Sequence, residues 1–346
     1  MILPKITDLD VSGKRVIVRA DLDVGQVSEN DIRLKSILPT LEYLLEKKSK
    51  VIIIGHRGRP EGKVDNKYSL KPVSDVLSKI LGKEIKFIFD ISGIEAKTES
   101  ENLADGEIMM LENLRFDSRE ESNDEEFSKK IAELGEIYIN DAFGVSHRSH
   151  ASIVGVPKIL PHAAGIHFSQ EIENLSKVFE NPERPLVILI SGIKKDKVEM
   201  IKPLSEIADK VLVGGRLPEY VGDDALVSIR TRTDFEKVLM GNLNMDKEDI
   251  TLNTIDRFVK EVGQAKMIVL AGVLGKYEDE GHRQGTERVF KAVAESSAFK
   301  IVGGGDSLNA VSMYNLSDKF NWISTGGGAM IEFITKKTLP GIDILQ

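Results

Sequence analysis

The chain has 346 residues, room for two hydrophobic cores, and its 41% hydrophobic and 29% charged residues are an ordinary globular balance. Its formal net charge of −8 argues against nucleic acid or an anionic membrane as a partner, and no run of about 18 apolar residues offers a membrane span. Cysteine is absent, which excludes disulfides and thiolate metal sites and fits a reducing, cytoplasmic setting; Met1-Ile2-Leu3-Pro4-Lys5 lacks the basic and apolar regions of a signal peptide.

Short apolar runs alternate with longer amphipathic stretches. The first half predicts strands at Arg15–Arg19, Val51–Gly55, Ile85–Phe89, Ile108–Leu111 and Ile137–Ile139, with helical patterns at Ile37–Lys47 and Asn123–Leu134. The acidic stretch Arg119–Glu126 reads as a solvated loop and helix start. His167–Glu180 reads as a helix, and Asn181-Pro182-Glu183-Arg184-Pro185 as a stop before a new strand, which sets a domain boundary within Gly165–Pro185. The second half predicts strands at Leu186–Ile190, Val211–Val213, Leu226–Ile229, Met267–Leu270, Phe299–Val302 and Trp322–Ser324, and a helix at Arg288–Ser297. Near-continuous apolar strands alternating with helices predict an α/β protein of two doubly wound parallel-sheet domains. The expected domains are residues 1–170 and 171–337, with residues 338–346 folding back on the first.

Parallel sheets bind ligands beyond the C-terminal ends of their strands. In the first half those ends carry cations: Arg19-Ala20-Asp21-Leu22-Asp23, Gly55-His56-Arg57-Gly58-Arg59-Pro60, Glu112-Asn113-Leu114-Arg115-Phe116, and Asn140-Asp141-Ala142-Phe143-Gly144 followed by His147-Arg148-Ser149-His150. Arg33 precedes the next helix. Guanidinium forks at converging strand ends suit a carboxylate or phosphate ligand; the competing assignment is an ion-pair network with Asp21, Asp23, Asp141 and the acidic loop.

In the second half the strand ends carry glycines: Ser191-Gly192, Gly214-Gly215, Ala271-Gly272, Gly303-Gly304-Gly305-Asp306 and Thr325-Gly326-Gly327-Gly328. Glycine lets the main chain approach a phosphate, and a following helix presents free N–H groups to it. Neither the P-loop nor the G-x-G-x-x-G fingerprint is present, which argues against a dehydrogenase. Asp306 is either a helix N-cap or an oxygen ligand of Mg²⁺, and Ser307 either caps or touches phosphate. Lys194, Lys195 and Lys197 are either solvated lysines or cations for a transferring phosphoryl group.

Taken in order along nearly the whole chain, Arg15–Asp23, His56–Pro60, Glu112–Phe116, Asn140–Gly144 with His147–Ser152, Gly303–Asp306, Ser324–Ala329 and Leu339-Pro340-Gly341 resemble the phosphoglycerate kinase family. The resemblance implies two domains facing each other across a hinged cleft. It also implies reversible phosphoryl transfer between 1,3-bisphosphoglycerate and ADP, giving 3-phosphoglycerate and ATP with Mg²⁺, in a monomer. It implies that Asp21, Asp23, Arg33, His56, Arg57, Gly58, Arg59, Arg115 and Arg148 bind the phosphoglycerate, with Asp21 on its hydroxyl and Arg33 nearest the transferring group. Lys197, Gly214, Gly215, Gly272, Glu278, Gly304, Gly305, Asp306 and Ser307 would bind the adenine nucleotide, with Glu278 on the ribose and Asp306 on the metal. Arg33, Lys194, Lys197, Gly305 and Gly328 would serve the transfer itself.

The sequence also departs from the family pattern. Asp23 stands in place of Asn, with Arg57 replacing an apolar residue and expected to pair with it, and the loop after Asp23 is short. On the nucleotide side, Ser191-Gly192-Ile193-Lys194-Lys195-Asp196-Lys197 is one residue short, so Lys195 competes for either lysine role; Arg216 replaces a glycine, and Ala271-Gly272-Val273-Leu274-Gly275 replaces Asn-Gly-Pro-Met-Gly. The alternatives are a noncatalytic relative that binds an anion or a partner, and a kinase for another acyl phosphate.

Overall fold

A computed structural model describes residues 3–221 and 237–346. Residues up to Ile172 together with Thr338–Gln346 form one compact unit, and Glu173–Lys337 form the other.

The first unit holds a six-stranded sheet of β1 (Arg15–Ala20), β2 (Lys50–Ile54), β3 (Ile85–Ile88), β4 (Ile108–Leu111), β5 (Ile137–Asp141) and β6 (His162–Ala164), in spatial order β3-β4-β2-β1-β5-β6. Every pairing is parallel. Successive residues of a strand face opposite sides of the sheet. Val16 and Val18 join one apolar cluster and Ile17 another, and Val51 and Ile53 alternate in the same way with Ile52 and Ile54. The sheet is therefore covered on both faces, which explains its unbroken apolar runs.

The second unit holds β7 (Leu186–Ile190), β8 (Lys210–Val213), β9 (Val238–Met240), β10 (Met267–Ala271), β11 (Phe299–Gly303) and β12 (Trp322–Ser324), in order β12-β11-β10-β7-β8-β9. All pairs are again parallel. Read from β9, this is the 3-2-1-4-5-6 order of nucleotide-binding sheets, with its switch point between β7 and β10.

The structure adds strands β6 and β9 to those predicted, and the predicted strand Leu226–Ile229 lies outside the described residues. Helix limits follow local capping. The predicted helix Asn123–Leu134 narrows to Glu125–Ala132, because the Asp124 side chain accepts the Phe127 N–H and starts the helix there. The helix predicted at Arg288–Ser297 runs over Gln284–Glu295. Within the first unit, the tail residue Gly341 donates its N–H to Ser146 O at 2.9 Å, and Ile344 packs on a cluster of Ala142, Val145, Ile153 and Val154. Among the described residues, no helix is long and apolar enough to cross a membrane.

Candidate active site

In the first unit the ends of β4, β2, β1 and β5 are neighbours. Arg19, the last-but-one residue of β1, is fully buried. Its guanidinium donates to Ser152 Oγ at 2.8 Å, to Ala20 O at 2.6 Å and to His56 Nδ1 at 2.9 Å. A guanidinium can only donate, so Nδ1 of His56 must accept, and the imidazole proton sits on Nε2. Burial, and then the charge of Arg19, hold the His56 pKa well below its usual value. His56 is a neutral ring with one fixed donor.

Asp21 is buried; burial raises its pKa and Arg33 opposes the rise, with Arg33 Nε 3.8 Å from Asp21 Oδ2. That Oδ2 has no hydrogen-bond partner among the described residues. Arg33 itself donates to Asp23 O, and Arg115 donates to Gly58 O at 2.9 Å. Asp23 does not pair with Arg57. Its Oδ1 accepts the Gly58 N–H at 2.8 Å, and its Oδ2 lies 3.9 Å from His56 Nε2. Arg57 donates instead to the carbonyls of Val24, Gly25 and Ser69, because these loop carbonyls ring its fork and no carboxylate does. Gly58 has φ +66, and a Cβ there would collide with the Tyr68 ring, so only glycine fits this turn.

The loop that carries these groups is tied to β4. Glu112 accepts from Ser69 Oγ at 2.6 Å and Leu70 N at 2.7 Å, and Asn113 Nδ2 donates to Arg57 O at 2.7 Å and Tyr68 O at 2.9 Å. Arg59 and Arg148 are exposed and form no ion pair among the described residues.

Sequence reasoning missed the layer beneath. Glu120, read as part of a solvated stretch, is fully buried; its carboxylate accepts from Ser152 Oγ at 2.6 Å and Ser152 N at 2.9 Å. Ser152, on a single π-helical turn Ala151–Gly155, thereby bridges Glu120 to Arg19. His150 Nδ1 is 4.0 Å from Glu120, and burial with neighbouring cations pushes the His150 pKa down to about 3. The acidic run preceding a helix gave no sign that one of its members turns inward; only the alternation of burial around Ser118–Glu121 shows it.

In the second unit the main chain does most of the shaping. Gly272 has φ +134, and a Cβ there would strike Ser191 O, so the ends of β7 and β10 meet backbone to backbone. Gly304 is at φ +102, and a Cβ on Gly327 would stand 2.7 Å from Gly304 Cα. That contact sets the starts of the helices Gly305–Met313 and Gly327–Lys336 side by side. Gly305 opens the first helix and Gly328 is the second residue of the other, each with nothing within 4 Å of where a Cβ would stand, so first-turn N–H groups of both helices are left uncovered by side chains near this contact. Asp306 lies inside the first turn, not at the N-cap, which is Gly304; its exposed carboxylate makes no capping hydrogen bond. Ser307 Oγ is buried without a hydrogen-bond partner among the described residues.

The three lysines separate. Lys197 is half-buried and donates to Ser191 O at 2.6 Å; burial lowers its pKa while Asp306 counters, whereas Lys194 and Lys195 are exposed. Gly214 and Gly215 follow β8, where Arg216 pairs with Glu219 at 2.6 Å and Glu219 with Lys247 at 2.7 Å. A cavity of about 460 Å³ opens beside this pair, against Asn242 and Asn244 after β9. Glu278 is exposed next to the buried Tyr277, whose pKa burial raises to about 12.

A model of the family described as phosphoglycerate kinase matches residues 6–222 and 223–337. A phosphoglycerate kinase of Dictyoglomus turgidum is 38% identical, over 99% of this chain and 98% of its own length. One of Borreliella afzelii is 37% identical over 97% of each. Among solved structures, the phosphoglycerate kinase from Coxiella burnetii has a TM-score of 0.83 at 33% identity, covering 99% of both chains. The one from Pyrococcus horikoshii has a TM-score of 0.85 at 28% identity, covering 99% of this chain and 98% of that one.

Proposed function

The chain belongs to the phosphoglycerate kinase family, and from that premise we propose how its residues carry out the family's reaction. The reaction is reversible phosphoryl transfer between 1,3-bisphosphoglycerate and ADP, giving 3-phosphoglycerate and ATP, a step of glycolysis and, in reverse, of gluconeogenesis. Such catalysis is mostly positioning and charge stabilisation. The acceptor is a carboxylate, already ionised near neutral pH, so no general base is required.

The first unit binds the phosphoglycerate. Asp21 Oδ2, an open buried acceptor, takes the substrate hydroxyl. His56 Nε2–H, Gly58, Arg59, Arg115 and Arg148 hold its carboxylate and phosphate, and Arg33 stands nearest the transferring group. The second unit binds the adenine nucleotide along Gly214, Gly215, Gly272 and Gly304, with Ser307 on phosphate and Glu278 on the ribose. Gly305 and Gly328 supply main-chain donors to the transferring phosphoryl oxygens, and Lys197, assisted by Lys194, adds charge. Among the described residues no three His, Asp or Glu side chains form a metal cage. The single exposed carboxylate of Asp306 fits an Mg²⁺ that travels on nucleotide phosphates and takes most of its ligands from phosphate and water. Asp306 would hold that ion, whose charge offsets the phosphates'.

The same reading takes the enzyme as a cytoplasmic monomer acting on small molecules. A noncatalytic relative is not favoured, since the phosphate-facing helix starts and the Arg33–Asp21–His56 cluster stand beside a family match along the chain. The observation that carries the reading is this cluster of oriented donors beside Asp21, whose buried Oδ2 is ion-paired with Arg33 but accepts no hydrogen bond among the described residues. A coupled assay of 3-phosphoglycerate phosphorylation with ATP and other nucleoside triphosphates tests it. Turnover is expected, and folded protein inactive with every donor would overturn it; turnover of a different carboxylic acid alone would move the enzyme to another acyl phosphate.

A further inference from the structure

Arg57 stands among the cations of the first unit, yet its fork points into protein. Nε donates to Val24 O at 2.9 Å, one terminal nitrogen to Gly25 O at 2.8 Å and the other to Ser69 O at 3.4 Å. These acceptors come from two different segments: the stretch after β1 and the residue two before the helix Lys71–Leu81. Arg57 itself belongs to a third, the stretch after β2. Asp23 completes the link, since its Oδ1 takes the N–H of Gly58.

The next contacts outward give this link its meaning. Asp23 O accepts from Arg33, and Gly58 O accepts from Arg115. Two of the four arginines proposed to meet the substrate, Arg33 and Arg115, are thus aimed by carbonyls of Asp23 and Gly58, the two residues joined by the Asp23–Gly58 bond. We infer that Arg57 and Asp23 are positioning residues, a clamp that orients Arg33 and Arg115, and that neither is itself a substrate ligand. This rests on the phosphoglycerate reading of the site only for the name of the anion. A planar fork is required, because one ammonium at the end of a flexible stem cannot reach carbonyls on two segments at once. At Asp23 the needed group is an oxygen acceptor, and its negative charge opposes an anionic ligand.

The test compares Arg57→Lys, Arg57→Met and Asp23→Asn with wild type in steady-state kinetics, and in amide hydrogen exchange without substrate. Both Arg57 variants are expected to raise KM for 3-phosphoglycerate by about tenfold, as loss of one or two net hydrogen bonds would, with KM for ATP unchanged. Asp23→Asn keeps the acceptor, so its KM for 3-phosphoglycerate is expected to equal or fall below wild type. In Arg57→Met, amides of residues 22–25 and 56–59 are expected to exchange faster in the ligand-free protein. Recovery of wild-type KM by Lys but not Met would make Arg57 a charge contact with substrate and overturn the clamp. So would a raised KM in Asp23→Asn, or unchanged exchange in Arg57→Met. The exchange measurement stands even if wild type fails to turn over 3-phosphoglycerate, a failure that would strike the proposed reaction and not the clamp.

Discussion

On the proposed reading, the two units solve one problem, holding an anion at the C-terminal edge of a parallel sheet, with different materials. The first uses side chains. Arg33, His56 and Arg115 are each aimed by a hydrogen bond to another loop or strand, and a buried layer of Arg19, Ser152 and Glu120 lies beneath. The second uses main chain. Glycines 272, 304 and 327 let strand ends and helix starts touch backbone to backbone, and the donors are N–H groups that every residue but proline has. The difference teaches where change is tolerated. Arg216 in place of a glycine and Val273 in place of a proline alter the second unit's side chains, while Gly272, Gly304 and Gly327 keep their close backbone approaches. In the first unit, the Asp23 carboxylate is accommodated by a specific bond from the N–H of Gly58, while its main-chain carbonyl takes the guanidinium of Arg33.

If the first site is a side-chain construction, removing its buried cation should do the most damage. Arg19→Met strands Glu120 in the interior, and the expected loss is about 3–5 kcal/mol of stability, read by chemical denaturation. Adding Glu120→Gln should recover part of it; a loss below about 1 kcal/mol would mean the buried layer carries little.

If the second site is a main-chain construction, a single methyl should damage it. Gly327→Ala brings a Cβ to 2.7 Å from Gly304 Cα, and parting the two turns is expected to cost about 1–3 kcal/mol. Calorimetry should show weaker MgADP binding with 3-phosphoglycerate binding retained, and equal loss of both ligands would break the contrast.

A further effect is a pH dependence carried by the histidines of the first unit. The His150 pKa is depressed from 6.5 to about 3, so the folded state binds fewer protons than the unfolded chain between those values. The stabilising contribution of the neutral ring is present above the unfolded pKa and is lost as pH falls through that window. His56, also depressed, acts in the same direction. His150→Asn should flatten the fall of Tm as pH is lowered from 6.5 toward about 3, the window set by these two states. A variant curve parallel to wild type would contradict the assignment.

Much of this was legible in residues. Doubly covered strands write themselves as apolar runs, so β1, β2, β4, β7 and β10 stand out. β6 and β9 are three residues each at sheet edges; His162-Ala163-Ala164 carries no such run, and Val238-Leu239-Met240 is apolar but too short to stand out. Motif order pointed to Asp21, Arg33, His56 and Arg115 together, because strand ends in one sheet converge. Arg19–Ser152 bridges 133 residues and Ser152–Glu120 bridges 32, and no local pattern announces such contacts. Lys194, Lys195 and Lys197 are equivalent in sequence, and only burial sets Lys197 apart. The Arg57–Asp23 pairing was expected from opposite charge, but carbonyls surrounding the fork took the arginine instead.

The central claim is that the two halves of the reaction are bound by two separate constructions, and calorimetric titration of Arg33→Ala and Asp306→Ala with 3-phosphoglycerate and with MgADP tests it most directly. The account predicts that Arg33→Ala loses 3-phosphoglycerate affinity and keeps MgADP, and that Asp306→Ala does the reverse. Loss of both ligands in either folded variant, or of neither, would contradict it.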